Sequence, residues 1–292
     1  MAENPIVQAI DRQQWLDPAA DTIQSAVAGT FQSAGTAGQK IKDALNGTWL
    51  GHPLHPVITD IPIGAWTVAL VLDAMDTSCR SAALARGAKI SVAVGLAGAA
   101  GSAITGLADW SDIDGRPRKV GLLHGLLNVT ATVLYTTSLL KRGGRSRGAA
   151  RAFAYAGFAV VCASAWLGGT LVYDELIGVN HASGPEPPKD FVPVLPDNEL
   201  AEGRLHGARV NGLEVVLARK NGNVFAMAAT CSHLGGPLAE GTLEQDCIRC
   251  PWHGSCFRLE DGSVATGPAT HPQPSYETRV SNGQIEIRAN GS

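Results

Sequence analysis

Residues 231–253 read CSHLGGPLAEGTLEQDCIRCPWH. The stretch holds four side chains that bind iron well: Cys231, His233, Cys250 and His253. Their pattern is C-x-H, sixteen intervening residues, then C-x-x-H. Each half puts one thiolate and one imidazole on a short loop. Two such loops facing each other would clamp a [2Fe–2S] cluster, with both cysteines on one iron and both histidines on the other. Neither spacing lets a regular helix or strand aim two ligands at one metal, so turns are required. The turn formers are present: Gly235, Gly236 and Pro237 after the first pair, Pro251 and Gly254 around the second. Turn N–H groups then stabilise the charge on the sulfides. Two thiolates leave an oxidised core neutral, whereas four leave it doubly negative, so mixed ligation raises the reduction potential. A zinc site is the competing reading, but zinc patterns group C-x-x-C and H-x-H pairs rather than alternating them.

The context of the ligands resembles the Rieske family. Thr230-Cys231-Ser232-His233-Leu234-Gly235-Gly236 and Cys250-Pro251-Trp252-His253-Gly254 are similar to its two cluster-binding boxes. The resemblance runs over about residues 191–290, through a loop at Gly267-Pro268 to a last strand, Gly283-Gln284-Ile285-Glu286-Ile287. It implies a small antiparallel β-sandwich with a cluster-binding subdomain at its tip. Strand signals agree. Leu213–Arg219 alternates and is followed by Asn221-Gly222 and Val224–Ala228, and Asn282-Gly283 precedes Ile285–Arg288. The resemblance also implies that the outer ring nitrogens of His233 and His253 face a partner and couple proton to electron transfer. Respiratory members carry an extra disulfide between the loops, and the matching positions here are Gly236 and Trp252. They also carry a serine and a tyrosine that donate to cluster sulfurs. Ser255 is kept and the tyrosine position is Phe257, so a potential nearer the Rieske ferredoxins is expected.

The chain has 292 residues, enough for two domains, and a net charge of −3, which gives no support for a nucleic-acid partner. Charged residues are only 17% and the mean hydropathy is positive. Since the last hundred residues are ordinary polar sequence, the middle must be very apolar. Of six cysteines, two are candidate ligands. Cys247 and Cys256 leave two readings, a bridge or two small buried side chains.

Four apolar segments follow the first fifty residues: about 57–75, 90–108, 120–140 and 152–173. Each approaches the ~20 residues that cross a bilayer as a helix, and polar faces are nearly absent. The expected fold class is therefore α + β in two domains, a four-helix transmembrane bundle (51–176) and the β-sandwich (191–290), joined by a Pro-rich linker (177–190). Asp60 and Pro62 fall in the expected opening turn of the first segment. Gly95, Gly98, Gly101 and Ser102 let helices approach closely. Residues 1–50 read as weak amphipathic helices on a membrane or bundle surface, or as a solvated arm; nothing there has the plan of a cleavable signal peptide.

One end of the bundle gathers Arg80, Arg86, Lys89, Lys141, Arg142, Arg145, Arg147 and Arg151; the other has Lys40, Lys42, Arg116, Arg118 and Lys119. The positive-inside rule then places the cluster domain outside a bacterial cell membrane. The lack of an export signal argues the other way, and the charge balance is taken to prevail.

The helical part resembles a membrane family called domain of unknown function 2231, through residues 47–56 (GTWLGHPLHP), 60–66 (DIPIGAW), 106–112 (GLADWSD) and 121–125 (GLLHG). That resemblance implies no activity. His55 and His124, on the first and third helices at similar depth, leave three readings: axial ligands of a b-type haem, part of a quinone pocket with Asp60 and Asp109, or interfacial histidines bonding carbonyls and water. His181, His206 and His271 read as surface residues. No nucleotide loop, flavin fingerprint or mononuclear iron motif is present, so an electron carrier or complex subunit is expected rather than a stand-alone enzyme. Its partners would be membrane lipid and a redox protein, in a respiratory or other oxidoreductase assembly. The alternatives are an electron-supplying component of an oxygenase or oxidase, and a cluster-based redox sensor.

Overall fold

The computed structural model describes residues 4–143 and 147–291; Arg145, one of the basic residues named at the bundle end, lies outside them. The chain forms two compact units. The helical unit contains α1 (Pro5–Asp11), α2 (Leu16–Ser33), α4 (Leu54–Cys79), α5 (Ala82–Trp110), α6 (Gly115–Lys141) and α7 (Arg147–Tyr173). The other unit contains α3 (Gly35–Asn46) and all the strands.

Helices α4 to α7 are long and apolar enough to cross a membrane. Their outer faces carry Val68, Val71, Ile90, Ile104, Val129 and Val133, each about half exposed. So much outward apolar surface suits lipid better than water. Because α4 begins at Leu54, Pro62 sits inside the helix rather than in its opening turn. There it packs on α5, where a Cβ on Gly98 would come within 2.8 Å of its ring.

The bundle is two similar hairpins, α4–α5 and α6–α7. His55, Trp66, Ala69 and Asp73 correspond to His124, Tyr135, Ser138 and Arg142, each 69 positions on. Ala88, Val92, Gly95, Ser102 and Gly106 correspond to Ala150, Ala154, Gly157, Ser164 and Gly168, each 62 positions on. Contacts follow the same scheme. Trp66 and Tyr135 stack on each other with centroids 4.0 Å apart. Gly95 gives room to the Trp66 ring and Gly157 to the Tyr135 ring. Asp73 and Arg142 pair with each other and are buried. Arg151 pairs with buried Asp76 one turn on. Unpaired, such charges would be costly in this interior.

Helices α1 and α2 pack on the bundle through Val7, Ile10, Leu16 and Ala20, against Trp110, Val120 and Leu167. Asp17 and Asp21 meet Lys119 (3.0 Å) and Arg118 (2.5 Å) at the start of α6. The first fifty residues are thus divided, with 4–34 in the helical unit and 35–53 in the β unit.

In the β unit, β1 (Val192–Pro196), β2 (Leu205–Val210), β3 (Leu213–Lys220), β4 (Asn223–Ala228), β9 (Ser275–Ser281) and β10 (Gln284–Ala289) form one antiparallel sheet in the order β1-β10-β9-β4-β3-β2. A second sheet holds β5 (Thr242–Glu244), β6 (Cys247–Arg249), β7 (Cys256–Arg258) and β8 (Val264–Thr266) in sequence order. Asn211-Gly212, Asn221-Gly222 and Asn282-Gly283 take positive φ at both residues, the conformation that tight two-residue hairpins need. Strand β3 is buried on both faces. Val215 and Leu217 join one core, while Val216 and Ala218 join a second core under the cysteine loops. Cys247 and Cys256 are bonded, which decides between their two readings; the bridge ties β6 to β7 just outside the second cysteine loop.

Candidate metal centre

The two cysteine loops share one hydrogen-bond plan. The Cys231 N–H donates to Gly236 O (2.8 Å), and the Gly235 N–H donates back to Cys231 O (2.9 Å). In the second loop Cys250 N–H donates to Ser255 O (2.8 Å), and Gly254 N–H to Cys250 O (3.2 Å). Gly235 and Gly254 both take φ +78°, where a side chain would be strained. Each cysteine is thus pinned at its amide and carbonyl, and both are buried.

The loops bring the four candidate ligands together. The thiols of Cys231 and Cys250 share a hydrogen bond, which lowers Cys250 to about 6 and raises Cys231 far above the usual thiol range. The His233 and His253 rings meet edge to face with centroids 5.1 Å apart. Burial, then the nearby His253, Lys42 and His181, hold His233 down to about 3, so its imidazole is neutral. Its buried Nδ1 has no hydrogen-bond partner among the described residues. A buried orphan nitrogen in a polar loop calls for a partner of another kind, and a neutral imidazole is the form that binds metal. Among the described residues no three His, Cys, Asp or Glu side chains converge to hold a single ion. A diiron core asks only for two protein ligands per iron, so this donor set fits it.

The surroundings are equally specific. A Cβ on Gly236 would lie 2.7 Å from Cys250 Sγ and 3.2 Å from the Trp252 ring. Positions 236 and 252 therefore face each other across the loops, filled by no side chain on one and an indole on the other. Fully buried Ser255 accepts a hydrogen bond at Oγ from Ala269 N–H (2.9 Å). Phe257 is fully buried beneath.

The sequence marked a loop at Gly267-Pro268 but not that it joins the two cysteine loops. Residues 267–273 bond the second through Ala269 and the first through His271, whose carbonyl accepts from Ser232 Oγ (2.7 Å). Gln273, buried, accepts from Ser232 N–H (3.1 Å) and donates to Ala228 O (2.8 Å) and Thr230 O (2.5 Å). His181, His206 and His271 are half-buried. The His271 ring stands 5.8 Å from that of His52, and the His181 N–H donates to Ser232 O (3.1 Å).

In the helical unit, His55 and His124 face each other with ring centroids 6.4 Å apart and planes nearly perpendicular. His55 Nδ1 bonds Ser102 O (2.9 Å) and His124 Nδ1 bonds Ser164 O (2.8 Å). These carbonyls are equivalent positions of the two hairpins, and Gly106 and Gly168, one turn on, make room for the rings. Asn128 Nδ2 donates to His124 Nε2 (3.1 Å). Asp60 is exposed on α4. The repeated spacing from His55 to Trp66 and from His124 to Tyr135 was the available sequence signal for this pairing.

Residues 190–277 match the Rieske [2Fe-2S] domain family, and residues 51–181 match DUF2231, a predicted membrane protein family. Apoptosis-inducing factor 3 of Mus musculus is 30% identical over 91 residues, 31% of this chain and only 15% of that protein's length. Ferredoxin CarAc of Metapseudomonas resinovorans is 34% identical over 79 residues, 27% of this chain and 74% of the ferredoxin. The anthranilate 1,2-dioxygenase ferredoxin subunit of Burkholderia cepacia is 35% identical over 81 residues, 27% of this chain and 75% of the subunit.

Proposed function

Because the chain belongs to the Rieske [2Fe-2S] domain family, we propose that it is a membrane-anchored carrier passing single electrons from a donor in the membrane to a partner redox protein. The observation that carries this reading is the pair of like-bonded loops that set two buried thiols and two imidazoles together, one with an orphan Nδ1. Cys231 and Cys250 would hold one iron, and His233 and His253 the other; the cluster supplies a one-electron carrier when bound. Ser255 would steady the extra charge of the reduced state by donating its hydroxyl. Trp252, exposed beside His253, marks the partner-facing tip. His55 and His124 would form the donor site, for a b-type haem or a quinol. Each ring Nδ1 is held by a backbone carbonyl, the outer-shell pattern of a ligating histidine; a ligand on His124 Nε2 would take the place of its hydrogen bond from Asn128 (3.1 Å). By the positive-inside rule the β unit would be extracytoplasmic.

Two of the relatives are ferredoxins, one of them a subunit of a dioxygenase, and they favour a second reading in which the partner is an oxygenase. Anaerobic purification from membranes tests both. Iron and sulfide in equal amounts, with a rhombic paramagnetic signal after dithionite, are expected; their absence rejects the cluster. Fast cluster reduction by a quinol, slowed by His55→Ala and by His124→Ala, supports the membrane donor. Reduction only by a soluble reductase supports the oxygenase reading. Protease access to the β unit in sealed oriented vesicles decides the side.

A further inference from the structure

The region matched to the Rieske family begins at residue 190, yet residues 35–53 pack with the β unit. This segment, α3 and the turn after it, grips the loop that joins the two cysteine loops. Asp43 Oδ1 accepts a hydrogen bond from Gly267 N–H (3.0 Å), and Gln39 Nε2 donates to the same oxygen (2.8 Å). Thr48 Oγ1 donates to Ala269 O (3.3 Å). His52 meets His271 edge to face at the far end. Gly267 lets the segment come this close: a Cβ there would lie 2.7 Å from Thr48 Oγ1 and 3.0 Å from Asp43 Oδ1.

The grip reaches the centre through short steps. Thr48 holds the carbonyl of Ala269, and the Ala269 N–H fills an acceptor site of the Ser255 hydroxyl (2.9 Å). With that site filled, the hydroxyl proton has fewer directions to take. Ser255 and Ala269 are both fully buried, so water does not substitute for a lost anchor. On the other side, His271 O receives the Ser232 hydroxyl, next to both first-loop ligands.

We propose that Asp43 and Thr48 are positioning residues of the cluster centre: they fix residues 267–269 so that Ser255 keeps its orientation, and they thereby raise the reduction potential. The segment before the membrane helices is then a working part of the β unit rather than a spacer. The inference rests on the cluster reading above.

The test uses the full-length protein purified without air, with iron and sulfide content, paramagnetic signal and midpoint potential measured on each variant. Asp43→Asn and Asp43→Ala carry the same net charge, but only the first keeps an Oδ1 for Gly267 and Gln39. Asp43→Ala is expected to bind its electron about threefold to tenfold less tightly than Asp43→Asn, tenfold being ~59 mV for one electron. Thr48→Val, which alters no charge, should fall in the same direction. Adding Asp43→Ala to Ser255→Ala should produce little further change, as expected of residues acting through one another. Equal potentials for Asp43→Ala and Asp43→Asn, or additivity with Ser255→Ala, would overturn the proposal. Should Asp43→Ala fail to hold iron, Thr48→Val decides: a lowered potential supports the proposal and an unchanged one rejects it. Wild-type protein without iron and sulfide would instead reject the cluster reading.

Discussion

Replacing Ser255 by alanine isolates the contribution of one hydroxyl. The side chain is fully buried, and its oxygen accepts the Ala269 N–H at 2.9 Å. Two losses follow. The Ala269 N–H is left without its acceptor in a dry site, costing about 1–3 kcal/mol of stability. The proposed donation from the hydroxyl to the reduced centre also vanishes. A hydrogen bond to a charged acceptor contributes roughly 1.5–3 kcal/mol, and if all of it appears on reduction the midpoint falls by about 60–130 mV for one electron. Water does not refill a pocket vacated by a single oxygen beneath two closed loops, so the loss should not be recovered. Spectroelectrochemical titration of the loaded Ser255→Ala protein, followed by its paramagnetic signal, measures the potential. A thermal melt on the same sample measures the stability. A variant with full iron and sulfide and a midpoint within about 10 mV of wild type would show that Ser255 does not face the centre, and the assignment would fall.

Phe257→Tyr restores the second donor and should raise the midpoint by a comparable amount, at a packing cost of about 1–3 kcal/mol because Phe257 is fully buried. An unchanged potential in a fully loaded variant would mean that position 257 does not reach the centre. Cys256→Ser removes the bridge to Cys247, nine residues away; a loss of about 2–3 kcal/mol is expected from loop closure, read by denaturation under non-reducing conditions. In the helical unit, Gly95→Leu and Gly157→Leu push a side chain into the Trp66 and Tyr135 rings. Both should lower the detergent melting temperature, Gly95→Leu more, since the gap at Gly157 is the wider.

Much of this protein is written in neighbouring residues. The C-x-H and C-x-x-H spacings, the glycines that turn the loops and the Asn-Gly pairs of the hairpins are local, and so are four runs of apolar residues of bilayer length. Their chemistry does not need a partner elsewhere in the chain. What the tertiary structure alone decided depends on residues brought from far apart. Asp43 meets Gly267 across 224 positions, and Gln24 reaches the Trp110 carbonyl across 86. His55 faces His124, and Asp73 meets Arg142. The first fifty residues divide between two units because α1 and α2 find apolar cover on α6, while α3 finds hydrogen-bonding groups on a loop of the β unit. A single hydrogen bond leaves no periodic trace in the sequence. The hairpin duplication does leave a trace, in repeated spacings, but its meaning appears only once the equivalent side chains touch across the bundle.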